Sequence, residues 1–143
     1  MDITARHCEL AGTEVGEDEV PSLVDEIPVL AVAAAVAVGE SRFAGGAELR
    51  VKESDRVAST VEMLSAFGAE AKGHEWGISV QGHGGAGLAA ATVDSRGDHR
   101  IAMAAAVLAA RLGGVSRIDG WEAVATSYPG FAEDLESLGG SPR

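Results

Sequence analysis

An internal repeat constrains the fold of this chain more than any other feature of its sequence. Asp25 and Asp98, 73 residues apart, each precede an alanine-rich segment with the length of a helix. Each segment leads into a glycine, a Ser-Arg pair and an apolar residue, in the runs 39–43 and 114–118. A shared order of helix, short strand, glycine turn and second helix predicts two copies of one α/β unit. Because related units pack with pseudo-symmetry, we expect their helix starts to meet at one end.

The spacing of apolar residues and glycines predicts the positions of helices and strands. The predicted helices span residues 25–38, 54–67, 98–112 and 130–138. The predicted strands span residues 3–10, 41–44, 69–72, 78–81, 91–93 and 116–118, with a hairpin turn at 73–76. Ser54, Asp25 and Asp98 are expected N-caps by residue type, and Gly68 is expected to end the second helix.

Charge and composition exclude several classes of protein. The chain has 143 residues and a formal charge of -11, which repels nucleic acid and anionic membranes. The longest apolar run, 27–38, is too short to cross a bilayer, and the N-terminus lacks a signal-peptide pattern. Cys8 is the single cysteine, so it forms no internal disulfide, and we expect it to be a small buried thiol. These features predict a cytoplasmic protein of one domain's length.

A cationic cluster within this acidic chain needs a local reason. Residues 50–56 hold three cations, Arg50, Lys52 and Arg56, beside two acids at a predicted helix start. A helix N-terminus attracts anions through its free N–H groups and its dipole. Arginine and lysine side chains there favour a site for phosphate or carboxylate. The alternative is a solvated helix start whose charges pair with one another.

Arginines in first helical turns support the anion-site interpretation. Arg56 and Arg100 both oppose the helix dipole, at a cost of roughly 0.3–1 kcal/mol each. Two violations of the same rule indicate an anionic ligand between the two arginines. His99 exchanges protons near neutral pH.

Proton donors and acceptors are also present, but a nucleophile is not. Asp25 and Glu53 supply carboxylates for acid–base chemistry, and Lys52 supplies a charged donor. The serines at positions 54, 95 and 127 have no convincing base partner, so an acyl-enzyme hydrolase is not supported. The glycine-rich run 82–87 matches a dinucleotide-binding pattern but lacks a following helix, and we predict a turn. The four histidines lack the spacing of a zinc site.

Four motifs resemble, in order, the C-terminal part of the 5-enolpyruvylshikimate-3-phosphate synthase family. They occupy residues 25–28, 50–56, 97–103 and 126–129. The resemblance implies an α/β fold of repeated βαβαββ-type units, with mixed sheets packed around helices, of which about two are present. It also implies that residues 1–143 are part of the C-terminal domain of a two-domain enzyme, whose N-terminal domain is absent.

The resemblance further implies enolpyruvyl transfer from phosphoenolpyruvate to the 5-hydroxyl of shikimate-3-phosphate, with release of phosphate, on the path to chorismate and aromatic amino acids. No metal or organic cofactor is expected. The partners expected are these two substrates and the missing N-terminal domain.

Site residues follow by motif position. Asp25 matches a proton acceptor that contacts the shikimate hydroxyls, and Lys52 matches a ligand of shikimate-3-phosphate. Arg56 and Arg100 match phosphoenolpyruvate-binding arginines. Glu53 and His99 match nearby residues proposed to move protons. Some family members carry lysine where this chain has Thr126, so Thr126 is not assigned a role.

Two alternatives remain open at this point. The chain is either half of an active site or a non-catalytic fragment or binding module with no turnover alone. A related transferase acting on UDP-N-acetylglucosamine shares the implied fold, but the motif at 50–56 favours the shikimate enzyme.

Overall fold

The structure is a computed structural model that describes residues 2–139. Helices begin after capping or turn residues, and short strands lie between them. The helices are α1 Val20–Leu23, α2 Ile27–Val36, α3 Gly46–Leu49, α4 Arg56–Ala66, α5 His99–Arg111 and α6 Phe131–Ser137, with a 3-10 helix at Trp121–Thr126. The strands are β1 Glu14–Val15, β2 Val38–Phe43, β3 Glu70–His74, β4 Gly77–His83, β5 Thr92–Asp94 and β6 Arg117–Asp119.

Two sheets cover the helices. The first has the order β1-β2-β4-β3, in which β1 and β2 are parallel and the other neighbours are antiparallel. The second consists of β5 and β6, which are parallel. In both sheets a helix, α2 or α5, connects the two parallel strands. This mixed, repeated α/β arrangement confirms the predicted fold class.

Equivalent hydrogen bonds show the repeat at the level of single atoms. In the first unit the Thr13 N–H donates to Ser41 Oγ over 3.1 Å. In the second unit the Ala91 N–H donates to Ser116 Oγ over 3.2 Å. In each unit the arginine after that serine donates its backbone N–H back to the carbonyl of the same partner, over 2.9 Å. The Ser-Arg pair therefore fixes the register of the parallel strands in both units.

The two units differ after their second helix. The first continues from α4 into the β3–β4 hairpin, which forms the antiparallel half of its sheet. The described part of the second stops shortly after α6, which has 7 residues where α4 has 11. The strand β6 consequently pairs with β5 alone among the described strands.

The core lies between the sheets and the helices. Helix α2 carries no charged residue, and Ile27 and Ala31 are fully buried. A helix that is apolar all round belongs in an interior, and α2 packs against both α5 and β4. The strand β4 places Ile78 and Val80 in the same core. Since small alanines line α2 and α5, the two helices approach closely and bring their N-terminal ends together.

The predicted strand at residues 3–10 and the buried position of Cys8 are wrong. Residues 2–10 form no strand and are exposed, Cys8 included. Pairing with β2 begins at Leu10, whose carbonyl accepts from the Val38 N–H over 2.9 Å. Alternating apolar residues give a strand only where a partner strand is available, and the described neighbours offer none to residues 3–9.

The predictions that Ser54 and Asp25 are N-caps are also wrong. Asp55, not Ser54, caps α4 by accepting from the Ala58 N–H. Helix α2 begins two residues after Asp25, and Glu26 stands at its N-cap without a side-chain cap bond. The side chains of Ser54 and Asp25 are instead bonded to residues of other helix starts.

The other predicted elements are present with boundaries shifted by a few residues. Asp98 caps α5 by accepting from the Arg100 N–H over 2.9 Å. Gly68, with φ +91°, follows α4 as predicted. The glycine-rich run after β4 forms a turn and no helix begins there, so that prediction is confirmed. Within residues 2–139, no helix combines the length and apolar character needed to cross a bilayer.

Candidate active site at the helix starts

The starts of α2, α4 and α5 meet and gather the charged residues singled out in the sequence. Asp25 precedes α2, Glu53 lies in the turn before α4, and Arg56 is the first residue of α4. Asp98 and Arg100 belong to the first turn of α5. Five of the six predicted site residues are linked here directly or through one neighbour: Asp25, Lys52, Glu53, Arg56 and Arg100.

Arg56 is the centre of this cluster and is almost completely buried, with 1% of its side chain exposed. Its Nε donates to Asp98 Oδ2 over 2.8 Å, and its two terminal nitrogens donate to Asp25 over 2.7 Å and to Glu53 over 2.6 Å. A further bond of 3.3 Å joins the second terminal nitrogen to Asp98 Oδ1. Four of the five N–H groups of the guanidinium are therefore bonded to carboxylates.

Asp98 is the buried counter-charge and its acceptor capacity is full. Its side chain has no exposed surface. Oδ2 accepts from Arg56 and from the Ser54 hydroxyl over 2.9 Å, while Oδ1 accepts from the Arg100 backbone N–H and from Arg56. A carboxylate offers about four lone-pair positions, and all are used here. A buried charge with every position satisfied is stable only while each donor stays in place.

Lys52 and Asp25 form the more exposed part of the cluster. Lys52 Nζ lies 3.5 Å from Asp25 Oδ1 and 4.0 Å from Glu48 Oε1. The Lys52 side chain is 26% exposed and that of Asp25 is 42% exposed. Both groups reach solvent and are available to a bound molecule.

Arg100 is held far less tightly than Arg56. Its NH1 group lies 3.4 Å from Glu26 Oε1, and a third of its side chain is exposed. Its Nε is buried and has no hydrogen-bond partner among residues 2–139. A buried donor without a partner costs about 1–3 kcal/mol, which an anionic ligand would relieve.

The remaining candidates lie at the margin of this cluster or have other partners. Arg50 donates to the carbonyls of His74 and Glu75 at the tip of the hairpin, and so holds β3 and β4 against α3. His99 is half-buried, and its ring has no hydrogen-bond partner in the described part of the chain. The Thr126 hydroxyl donates to the Ala123 carbonyl within the 3-10 helix.

The cluster favours the ionised forms of Asp25 and Asp98. Burial raises the pKa of Asp98, but the hydrogen bonds from Arg56 and Ser54 and the charge of Arg56 outweigh it and lower the pKa below its ordinary value. Burial also opposes ionisation of Asp25, where the Arg56 bond and the charges of Lys52, Arg56 and Arg100 again give a lowered pKa. The pKa of Arg56 is raised, because its three carboxylates outweigh its desolvation. The site is therefore a fixed array of charges at neutral pH.

Sequence reasoning missed the second role of Asp98. It identified Asp98 as an N-cap only, although the repeat places Asp98 and Asp25 at corresponding positions. In the structure these two carboxylates contact the same guanidinium from opposite units. The repeat could have indicated this role, because Asp98 occupies the position in the second unit that the predicted site residue Asp25 occupies in the first.

The fold and the site together define an α/β protein of repeated units, in which helix starts hold cations and carboxylates suited to an anionic ligand. Solved structures share this fold. The structure matches EPSP synthase from Acinetobacter baumannii with a TM-score of 0.86 and 38% identity, covering 93% of this chain and 31% of that one. A second structure of EPSP synthase from the same organism matches with a TM-score of 0.83 and 35% identity, over 93% of this chain and 30% of that one.

Sequence comparisons name the same family. The family model for EPSP synthase (3-phosphoshikimate 1-carboxyvinyltransferase) matches residues 2–135. A 3-phosphoshikimate 1-carboxyvinyltransferase of Parasynechococcus marenigrum is 45% identical over 137 residues, 96% of this chain and 31% of the relative. One of Herpetosiphon aurantiacus is 51% identical over 130 residues, 91% of this chain and 30% of the relative. The chain belongs to the EPSP synthase family, and it spans about a third of the length of the curated relatives it matches.

Proposed function

We propose that this chain carries half of an active site that transfers the enolpyruvyl group of phosphoenolpyruvate to the 5-hydroxyl of shikimate-3-phosphate, with release of phosphate. The observation that carries the proposal is the convergence of Asp25, Lys52, Glu53 and Arg100 around buried Arg56. The residues come from motifs that are distant in sequence and match one family throughout. We further propose that residues 1–143 are part of the C-terminal domain, and that the N-terminal domain of the same enzyme completes the site.

Binding of the two anionic substrates is assigned to the three cations of the cluster. Lys52 would bind shikimate-3-phosphate, and Asp25, ionised and within 3.5 Å of Lys52, would accept hydrogen bonds from the shikimate hydroxyls. Arg100 and Arg56 would bind phosphoenolpyruvate, whose carboxylate and phosphate suit bidentate guanidinium contacts. The unpartnered Nε of Arg100 supports its part of this assignment.

Proton transfer is assigned to the carboxylates and the imidazole nearby. A base must take the proton of the attacking hydroxyl, and an acid must protonate the methylene carbon of phosphoenolpyruvate. Asp25 is the proposed base, while Glu53 or Lys52 is the proposed acid, with His99 as a further proton-moving group. Holding both substrates against these groups would supply much of the rate enhancement by orientation.

The test is a titration of the folded chain with each substrate, followed by amide NMR spectra. We expect saturable shifts at the starts of α2, α4 and α5, with weak affinity because part of the ligand set is absent. Lys52→Met should abolish the shifts caused by shikimate-3-phosphate, whereas Lys72→Met, a charge-matched control on β3, should not. A folded chain that shows no saturable shift with either substrate would refute the proposal.

The alternative is a binding module without turnover, and the same sample separates it from a catalytic fragment. We expect no phosphate release when both substrates are mixed with the isolated chain, because the N-terminal domain is needed. Measurable turnover by the chain alone would contradict the assignment of only half the site to it.

A further inference from the structure

Arg56 has two kinds of carboxylate partner that differ in exposure. Asp98 is fully buried, whereas the side chains of Asp25 and Glu53 are 42% and 51% exposed. The buried carboxylate holds the Nε edge of the guanidinium. The two exposed carboxylates occupy its terminal nitrogens, which are the atoms through which arginine binds an anion.

The buried partner is fixed by its surroundings. The Asp98 backbone N–H donates to the Ser95 carbonyl over 3.0 Å, and the Asp98 carbonyl accepts from the Ala102 N–H. Its side chain caps α5 and also accepts from Ser54. Moving Asp98 would therefore uncap α5 and break contacts to α4 at the same time.

The exposed partners can exchange at low cost. Each is bonded to Arg56 by one oxygen and reaches solvent. An incoming carboxylate or phosphate would replace a carboxylate by another oxyanion, so Arg56 keeps the same kind of hydrogen bond. A displaced Asp25 would still lie close to Lys52.

We propose that Asp98 is a positioning residue that holds Arg56 in a fixed plane, while Asp25 and Glu53 occupy the positions that an anionic group of the substrate takes over. This inference rests on the proposed function, because it concerns the anion that Arg56 binds there. It adds a residue, Asp98, that touches no substrate but determines where the guanidinium points.

Two substitutions with the same charge change separate positioning from simple electrostatics. Asp25→Asn and Asp98→Asn each remove one negative charge in contact with Arg56. If charge alone mattered, both variants would bind anions more tightly. Positioning predicts opposite directions. Asp25→Asn replaces a charge-assisted bond to a terminal nitrogen with a weaker neutral one that an anion displaces more easily, whereas Asp98→Asn releases the guanidinium from its plane.

The experiment titrates wild-type chain and both variants with phosphoenolpyruvate and, separately, with inorganic phosphate, followed by NMR. We expect Asp98→Asn to weaken phosphoenolpyruvate binding by about tenfold or more, as for loss of a buried charge partner. We expect Asp25→Asn to bind as tightly as wild type or more tightly. Equal tightening in both variants would overturn the proposal.

A measurement on the wild-type chain keeps the proposal testable even if Asp98→Asn does not fold. The Nε–H of Arg56 should be as rigid as the backbone amides and should exchange slowly with water, while the Nε–H of Arg111, which is exposed at the end of α5, should not. Addition of phosphate should shift the terminal N–H signals of Arg56 and leave its Nε–H in place. An Arg56 Nε–H as mobile as that of Arg111 would refute the positioning role of Asp98.

The outcomes also distinguish this inference from the proposed function. If the folded wild-type chain binds neither phosphoenolpyruvate nor phosphate, the half-site is refuted, and with it the displacement of Asp25 and Glu53. If it binds phosphoenolpyruvate and Asp98→Asn binds equally well, the half-site stands and the role of Asp98 is refuted.

Discussion

Arg56 and Arg100 break the same sequence rule and have opposite surroundings. Both are cations in the first turn of a helix, where the dipole disfavours them. Arg56 is buried and bonded to three carboxylates, whereas Arg100 is one-third exposed, with one partner at 3.4 Å and an unpartnered Nε. An unfavourable position in sequence thus has two different compensations: internal carboxylates for Arg56, and for Arg100, in our proposal, a ligand. Substitutions of the two arginines and of their partners separate these two compensations.

The largest expected effect is on stability. Arg56→Met leaves buried Asp98 without its charge partner, and should lower the free energy of unfolding by about 3–5 kcal/mol. Arg100→Met removes a cation that is one-third exposed and has one long contact, and it should change that free energy by less than about 1 kcal/mol. Urea unfolding followed by circular dichroism measures both. An equal decrease in the free energy of unfolding of both variants would show that the two arginines do not differ in structural role.

Low pH should reduce the stability that the Arg56–Asp98 pair contributes. The pKa of Asp98 is lowered in the folded state by its bonds from Arg56 and Ser54, against the opposing effect of burial. Its contribution is therefore fully present above the ordinary Asp pKa of about 3.9 and is lost as the pH falls through the lowered folded value.

Urea unfolding of the wild type and of Asp98→Asn between pH 7 and pH 3 measures this contribution. The wild type should lose more stability than the variant below about pH 4. A parallel pH dependence in both proteins would show that Asp98 titrates as it does in the unfolded chain.

Lys52 is expected to affect binding more than stability. Its contacts with Asp25 and Glu48 are 3.5 and 4.0 Å long and lie partly in solvent. Lys52→Met should therefore change the free energy of unfolding by no more than about 1 kcal/mol, while binding of shikimate-3-phosphate is lost. Thermal unfolding of the variant beside Lys72→Met checks the stability part. A loss as large as that of Arg56→Met would make Lys52 a structural residue.

The smallest expected effect concerns the partner of Arg100. Glu26→Gln removes the carboxylate that lies 3.4 Å from Arg100, and this exposed pair should contribute less than about 0.5 kcal/mol to stability. Because the substitution frees Arg100, phosphoenolpyruvate should bind slightly more tightly in the same NMR titration. Weaker binding would show that Glu26 positions Arg100 instead of competing for it.

Local patterns in the sequence predicted most of the secondary structure. The alanine-rich helices, the β3–β4 hairpin and the helix-ending Gly68 follow from residue spacing and backbone preference, and they are present. The strand expected at residues 3–10 is absent, because a strand depends on a partner that local spacing does not specify. The repeat gave the relation between the two units, including their equivalent serine bonds.

The sequence predicted most of the residues in the cluster, but it did not predict the hydrogen bonds that join them. Motif positions brought together Asp25, Lys52, Glu53 and the two arginines. Local spacing predicted that Ser54 and Asp25 cap helices. In the structure, Ser54 is instead hydrogen-bonded to Asp98, and Asp25 to Arg56. Which of two similar arginines is buried depends on the packing of α2, α4 and α5, and no pattern within one helix contains that information.

The most direct test of the account is a phosphoenolpyruvate titration of Arg100→Ala beside Arg117→Ala, followed by NMR. Both substitutions remove one positive charge, and Arg117 lies on β6, where its side chain is 76% exposed. The account predicts that Arg100→Ala keeps the fold and loses saturable binding, while Arg117→Ala binds like the wild type. Unchanged phosphoenolpyruvate affinity in folded Arg100→Ala would contradict the proposal that Arg100 binds phosphoenolpyruvate at these helix starts.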